Sequence, residues 1–137
     1  MSKVKDAEGN HLHALGRLDS SDTASLLLQS DALCLSTRSE GFSTTLLEAA
    51  ACGCPAIVAD VGGARELIPT GEYGTVIPDM LADSIDEAVA ALADNRALLE
   101  RQGANCARLV RKTCSQSATA GNWNGLFGRK LTAWFSF

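Results

Sequence analysis

The chain has 137 residues, 46% of them hydrophobic and 20% charged, with a formal net charge of −4 from 12 Lys+Arg against 16 Asp+Glu. That length fits one domain and excludes two complete ones, and the apolar supply is enough for a folded core, which excludes a disordered chain. The acidic balance provides no basic field to collect a nucleic acid or an anionic lipid surface, so no nucleic-acid partner is expected.

In chain order, Met1 to Asn10 carries Lys3, Lys5, Asp6 and Glu8 without an apolar core. No signal peptide is expected, and a cytoplasmic location follows by default. His11 to Gly16 alternates weakly and ends in glycine, which predicts a short strand leaving a sheet. Ser20 and Ser21 before Asp22 and Leu26-Leu27-Leu28 predict a serine-capped helix from Asp22 to Ser30. Ala32-Leu33-Cys34-Leu35-Ser36 is a continuous apolar run, as in a strand buried on both faces of a parallel sheet. A loop from Thr37 to Ser43 then leads into Thr44 to Ala51, rich in helix formers. Gly53 stands at the position just past a helix end, with Pro55 blocking continuation.

Ala56-Ile57-Val58-Ala59 reads as a second buried strand, the Gly62-Gly63 pair as a tight turn needing positive φ, and Ala64 to Ile68 as a short helix. Thr75 to Pro78 reads as a further strand. Ser84 begins a helix with Ile85, Ala88, Val89 and Leu92 on one face, and Arg96 to Lys112 forms another carrying Leu98, Leu99, Cys106, Leu109 and Val110. Strands alternating with helices at this spacing specify an α/β domain with an open, mainly parallel sheet and helices on both faces. The longest apolar stretch, Ala49 to Ala59, is 11 residues and broken by glycine and proline. About 20 are needed to span a bilayer, so no transmembrane segment is expected.

The cysteines at 34, 52, 54, 106 and 114 are five, an odd number, with no Cys-x-x-Cys pair. They read as reduced thiols, Cys34, Cys52 and Cys54 as packing residues, and no metal site is expected. Beyond residue 112 the pattern changes. Trp123, Phe127, Trp134, Phe135 and Phe137 gather five of the seven aromatics. An aromatic-rich helix or tail over 113–137 is expected, packed on this domain or docked to another surface.

The chemistry concentrates at Glu40-Gly41-Phe42-Ser43-Thr44-Thr45-Leu46-Leu47-Glu48, a loop that follows a strand and runs into a helix. The first turn of a helix presents backbone N–H groups without internal acceptors and about half a positive charge, so a diphosphate can bind there without a lysine. Gly41 permits close approach, and Ser43, Thr44 and Thr45 add hydroxyl donors. Glu48 stands roughly 6–7 Å along the helix axis from its start, too far from Glu40 for the two acids to share a proton or a metal. Each carboxylate suits a vicinal diol. An anion between two diols describes a sugar nucleotide: ribose, diphosphate, hexose. On spacing alone, the two acids read first as a solvated loop acid and a helix N-terminal acid favoured by the dipole.

Glu40-Gly41-Phe42-Ser43, then Leu47-Glu48-Ala49-Ala50-Ala51-Cys52-Gly53-Cys54-Pro55, then Val61-Gly62-Gly63 and Glu66-Leu67-Ile68 resemble the retaining GT-B glycosyltransferases of family 4, the "glycosyl transferases group 1". The resemblance runs over about residues 11 to 112, with the acid spacing E-x7-E realised by Glu40 and Glu48. It implies that residues 1–112 are the C-terminal part of a GT-B donor domain, truncated, with Glu48 on the ribose hydroxyls and Glu40 on the hexose near its reacting face. The segment Gly41, Phe42, Ser43, Thr44, Thr45, Leu46 would lie against the diphosphate and sugar. The implied reaction is transfer of a hexose from a UDP-, GDP- or ADP-sugar to an acceptor hydroxyl with retention, on a glycan or lipid-linked acceptor, with no cofactor and no metal.

The family's basic diphosphate clamp and its acceptor-domain histidine have no match here. His11 and His13 lie on the wrong strand pattern, and Arg17, Arg38 and Arg65 do not fit the clamp. A separate acceptor domain is therefore an expected partner. The alternatives are a non-catalytic donor-binding remnant, an interaction module using the aromatic tail, and a sugar-nucleotide epimerase on the same fold. Phe42 reads equally as a core plug and as a donor contact.

Overall fold

The computed structural model of the chain describes residues 2–5, 11–79, 81–115 and 117–119. The chain starts with a hairpin of β1 (Ser2–Lys5) and β2 (His11–Ala14), antiparallel, with Val4 opposite Leu12. This corrects the expectation for residues 11–16: the strand stops at Ala14 and pairs with the segment before it, not with the parallel sheet. Strand β2 alternates polar and apolar residues and β1 carries a single apolar residue, Val4, whereas buried parallel strands are continuously apolar.

Helix α1 (Ser20–Gln29) begins two residues before the predicted start, because Asp19, not serine, is its cap and accepts from the Asp22 N–H at 2.8 Å. The capping carboxylate also sits at the positive end of the helix dipole. The parallel sheet then follows in the order β3 (Leu33–Leu35), β4 (Ala56–Ala59), β5 (Thr75–Ile77). Every residue of the central strand β4 is buried. Strand β3 was expected to be buried on both faces, but it stands at the edge with Cys34 exposed, so Cys34 is not a packing residue. Of the other two cysteines expected to pack, Cys54 is buried and Cys52 half-buried.

Adjacent residues on β4 point to opposite faces and organise the two layers of the core. Ala56 and Val58 pack with Leu46 and Ala50 of α2 (Thr44–Cys52), Ala64 and Leu67 of α3 (Ala64–Leu67), and Cys106 and Val110 of α5 (Arg96–Thr113). Ile57 packs on the other side with Ile77, with Ala88 and Leu92 of α4 (Ala82–Ala93), and with Leu99. Of the face predicted for α4, Ile85 is half-buried and Val89 exposed. Ser84 lies within the first turn and does not start the helix. Leu81 is the N-cap residue and no side chain caps the first turn; Asp79 instead pins the entry to the helix, its Oδ1 accepting from the Leu81 N–H at 3.1 Å and the Ser84 hydroxyl at 2.6 Å.

Helix α2 ends at Gly53 with φ of 73°, the left-handed conformation expected of a glycine past a helix end. Helix α5 crosses there, where a side chain at Gly103 would run into the Gly53 carbonyl. The same helix holds the segment before β5 by three successive carbonyls. Gln102 Nε2 donates to Gly71 at 2.8 Å, Asn105 Nδ2 to Glu72 at 2.9 Å, and the Cys106 thiol to Tyr73 at 2.6 Å. Gln102 is only 1% exposed, and its Oε1 has no hydrogen-bond partner among the described residues. Sequence reasoning missed this core residue, since glutamine is mostly a surface residue. From residue 120 onward, the expected aromatic tail with Trp123, Phe127, Trp134, Phe135 and Phe137 lies outside the described residues. No helix of the described residues is long and apolar enough to cross a membrane.

Candidate functional site

The sheet places the carboxyl ends of β3 and β4 side by side, and the start of α2 and the β4–α3 turn close over them. Glu40, Ser43 and Leu46 meet there with Thr37, Val61 and Ala64 around a recess of about 10 Å³. That is room for about one water molecule, against several hundred Å³ in an enclosing ligand pocket. The recess by itself is too small to enclose a sugar nucleotide.

Ser43 caps α2. Its Oγ accepts from the Leu46 N–H at 3.3 Å, and its carbonyl accepts from the Leu47 N–H at 3.1 Å. Of the N–H groups in the first turn, this leaves those of Thr44 and Thr45 for an acceptor from outside the helix. The Ser43 hydroxyl remains able to donate outward while its lone pair holds the cap. Leu46, a predicted site residue, is buried core, and its N–H is already held by the Ser43 cap.

Glu40 is half-buried in the recess, beside the helix start. Glu48 is exposed and outside the recess. At 100° per residue it shares with exposed Thr44 the face of α2 opposite buried Leu46, Ala49 and Ala50. The structure therefore gathers Glu40 with Ser43 and Leu46, and sets Thr44 and Glu48 one turn apart on the outer face. Thr45 is half-buried, and Gly41 is exposed. Phe42 is 43% exposed rather than a core plug, and its ring lies against Gly63. Thr37, Val61 and Ala64 were not predicted; Thr37 falls in an irregular loop with no periodic signal, and only the fold brings the β4–α3 turn to it.

Among the basic residues considered for a diphosphate, Arg65 is engaged elsewhere. Its Nε and an Nη donate to the two Asp60 carboxylate oxygens at 3.1 and 2.8 Å. These hydrogen bonds hold the Asp60 carboxyl below its ordinary range and raise the guanidinium. Arg17 and Arg38 are exposed. His11 and His13 stand on β2, opposite Lys5 and Lys3. Among the described residues, no group of three or more His, Cys, Asp or Glu is gathered as metal ligands would be.

Residues 3–108 match the model of the family described as "Glycosyl transferases group 1". The chain belongs to that family. It is 31% identical over 103 residues to a phosphatidyl-myo-inositol mannosyltransferase of Mycobacterium leprae, covering 74% of this chain and 28% of that protein. It is 34% identical over 96 residues to the lipopolysaccharide core biosynthesis mannosyltransferase LpcC of Rhizobium leguminosarum bv. viciae, covering 67% of this chain and 27% of that one.

Among solved structures, the sucrose-phosphate synthase of Thermosynechococcus elongatus superposes with a TM-score of 0.77 at 24% identity, over 87% of this chain and 30% of the other. The C-terminal domain of a glycosyl transferase group 1 family protein (LpcC) from Francisella tularensis gives 0.67 at 24% identity, over 74% of this chain and 53% of that one. These neighbours have the GT-B glycosyltransferase fold, and the group 1 chain shares it as an α/β domain with a parallel sheet. It spans a little over a quarter of the length of the two curated relatives.

Proposed function

We propose that this group 1 chain carries the donor-holding part of a retaining family 4 glycosyltransferase, which moves a hexose from a UDP-, GDP- or ADP-sugar to an acceptor hydroxyl. The observation that carries the reading is the start of α2: Thr44 and Thr45 offer N–H groups to an anion, with Glu40 beside them in the recess. The diphosphate lies across that first turn, Glu40 takes hydroxyls of the hexose, and Glu48, on the outer face beyond Thr44, takes those of the ribose. A departing diphosphate is stabilised by oriented N–H dipoles, a large catalytic term in such sites, so the chain needs no metal or cofactor for it.

The smallness of the recess and the span of the chain relative to its relatives favour a second wall supplied by a separate acceptor domain, whose acceptor is a glycan or a lipid-linked hydroxyl. The curated relatives named as mannosyltransferases make GDP-mannose the first donor to try. The same observation favours donor binding without transfer by this chain alone. Titration of the full chain with GDP-mannose, UDP-glucose and ADP-glucose, followed by calorimetry, tests the reading. Binding of one of them, weakened at least about tenfold by Glu48→Ala, is expected. No binding of any, or Glu48→Ala binding like the wild type, would refute it.

A further inference from the structure

We infer that Gly62 and Gly63 are positioning residues for the Glu40 loop, the β4–α3 turn acting as a rigid backstop that fixes where Glu40 stands. The inference deepens the donor-site reading and rests on it for its functional meaning, but its structural content is independent. Gly62 has φ of +53°, and a Cβ there would lie 2.5 Å from the Gly41 carbonyl oxygen and closer still to that of Glu40. Neither neighbour is a side-chain tip that could swing away; both are backbone of the loop. The next residue ties the two segments together, the Gly63 N–H donating to the Gly41 carbonyl at 2.7 Å. A Cβ at Gly63 would lie 2.8 Å from Cδ2 of the Phe42 ring.

The loop Glu40–Phe42 is therefore seated directly on this turn, and any added atom at 62 must lift it. The turn itself cannot retreat freely. It is closed by the Ala64 N–H donating to the Val61 carbonyl at 3.2 Å and the Glu66 N–H to that of Gly63 at 3.0 Å, and Ala64 and Leu67 behind it are buried core. Displacement is thus passed to the loop, and through it to Glu40, which lines the recess. A shift of about 1 Å in a binding group can cost about 10²-fold in function.

The test compares the full chain with Gly62→Ala, Gly63→Ala and Gly103→Ala. The last puts its strain at the α5–α2 crossing, away from the loop. Three quantities are read: GDP-mannose and UDP-glucose affinity by calorimetry, hydrogen exchange at the Gly63 amide, and the thermal midpoint. Gly62→Ala and Gly63→Ala are expected to lose at least about tenfold in donor affinity and to lose protection at residue 63. Gly103→Ala is expected to lose thermal stability while binding donor within about twofold of the wild type.

Wild-type affinity in both turn variants, or a parallel loss in Gly103→Ala, would overturn the inference. If the wild type binds neither donor, the donor reading falls and the exchange result alone decides the backstop: it stands if Gly63 is protected in the wild type and opened in the turn variants, and fails if exchange is equal. Should Gly62→Ala not fold, Gly63→Ala, whose methyl would press on the Phe42 ring and lie 3.3 Å from the Gly41 carbonyl oxygen, decides between the two outcomes by itself.

Discussion

Among the described residues, a methyl group added at Gly41 would meet nothing within 4 Å, and the backbone there does not have a positive φ. Nothing in the chain's own packing requires glycine at that position. Gly41→Ala is therefore expected to leave stability unchanged or raise it by up to about 1 kcal/mol, through the unfolded state. On the proposed donor site, sugar-nucleotide affinity should fall, because the methyl would stand on the path of the diphosphate. A thermal scan and a titration on the same sample check this, and unchanged affinity would count against a ligand lying on that loop.

Thiol reactivity gives a second residue-scale prediction. Burial pushes the Cys106 thiol up to about 11 and also raises Cys54, whereas Cys34 and Cys114 are exposed. Alkylation of the native chain near pH 8, followed by mass spectrometry, should label Cys34 and Cys114 first. Cys54 and Cys106 should follow only on unfolding, since the thiolate is the reacting species.

At the scale of elements, the start of α4 depends on a carboxylate. Hydrogen bonds from the Ser84 hydroxyl and the Leu81 N–H hold the Asp79 carboxyl below its ordinary 3.8. A group whose folded value is depressed contributes stability above its unfolded value and loses it as the pH falls through the folded one. Asp79→Ala should therefore lower the thermal midpoint at pH 7, with the gap to the wild type shrinking below about pH 4. A gap independent of pH would mean that the ionised Asp79 carboxylate is not what holds the entry to α4.

The helices themselves were legible because their signals are local: the run of helix formers from Thr44 to Ala51, and Gly53 with Pro55 past its end, though Ser43 as the cap emerged only in the structure. The cap at Asp19 and the bonds of Asp79 at the entry to α4 were not legible. Each competes with nearby serines of similar capping propensity, and only the folded backbone decides which oxygen reaches the N–H groups.

Across the whole molecule, stability centres on β4, covered on both faces. Ile57 is 1% exposed and packs between α4, α5 and β5. Ile57→Ala should cost about 2–5 kcal/mol in urea unfolding, the range for truncating a fully buried aliphatic side chain. A loss under about 1 kcal/mol would mean that the face toward α4 is loosely packed.

The sequence by itself determined the alternation of buried strands and helices, the helix start at Ser43 and the pairing of an acid before that helix with one inside it. Each is a pattern of neighbours within one or two turns, where spacing and residue type are enough. Only the tertiary structure decided that Cys34 lies on an uncovered edge, that the first strands form their own hairpin, that Glu40 enters the recess while Glu48 stays outside, and that Gly62 supports a loop about twenty residues earlier in the chain. Those outcomes depend on contacts between segments distant in sequence, and such contacts leave no local periodicity to read.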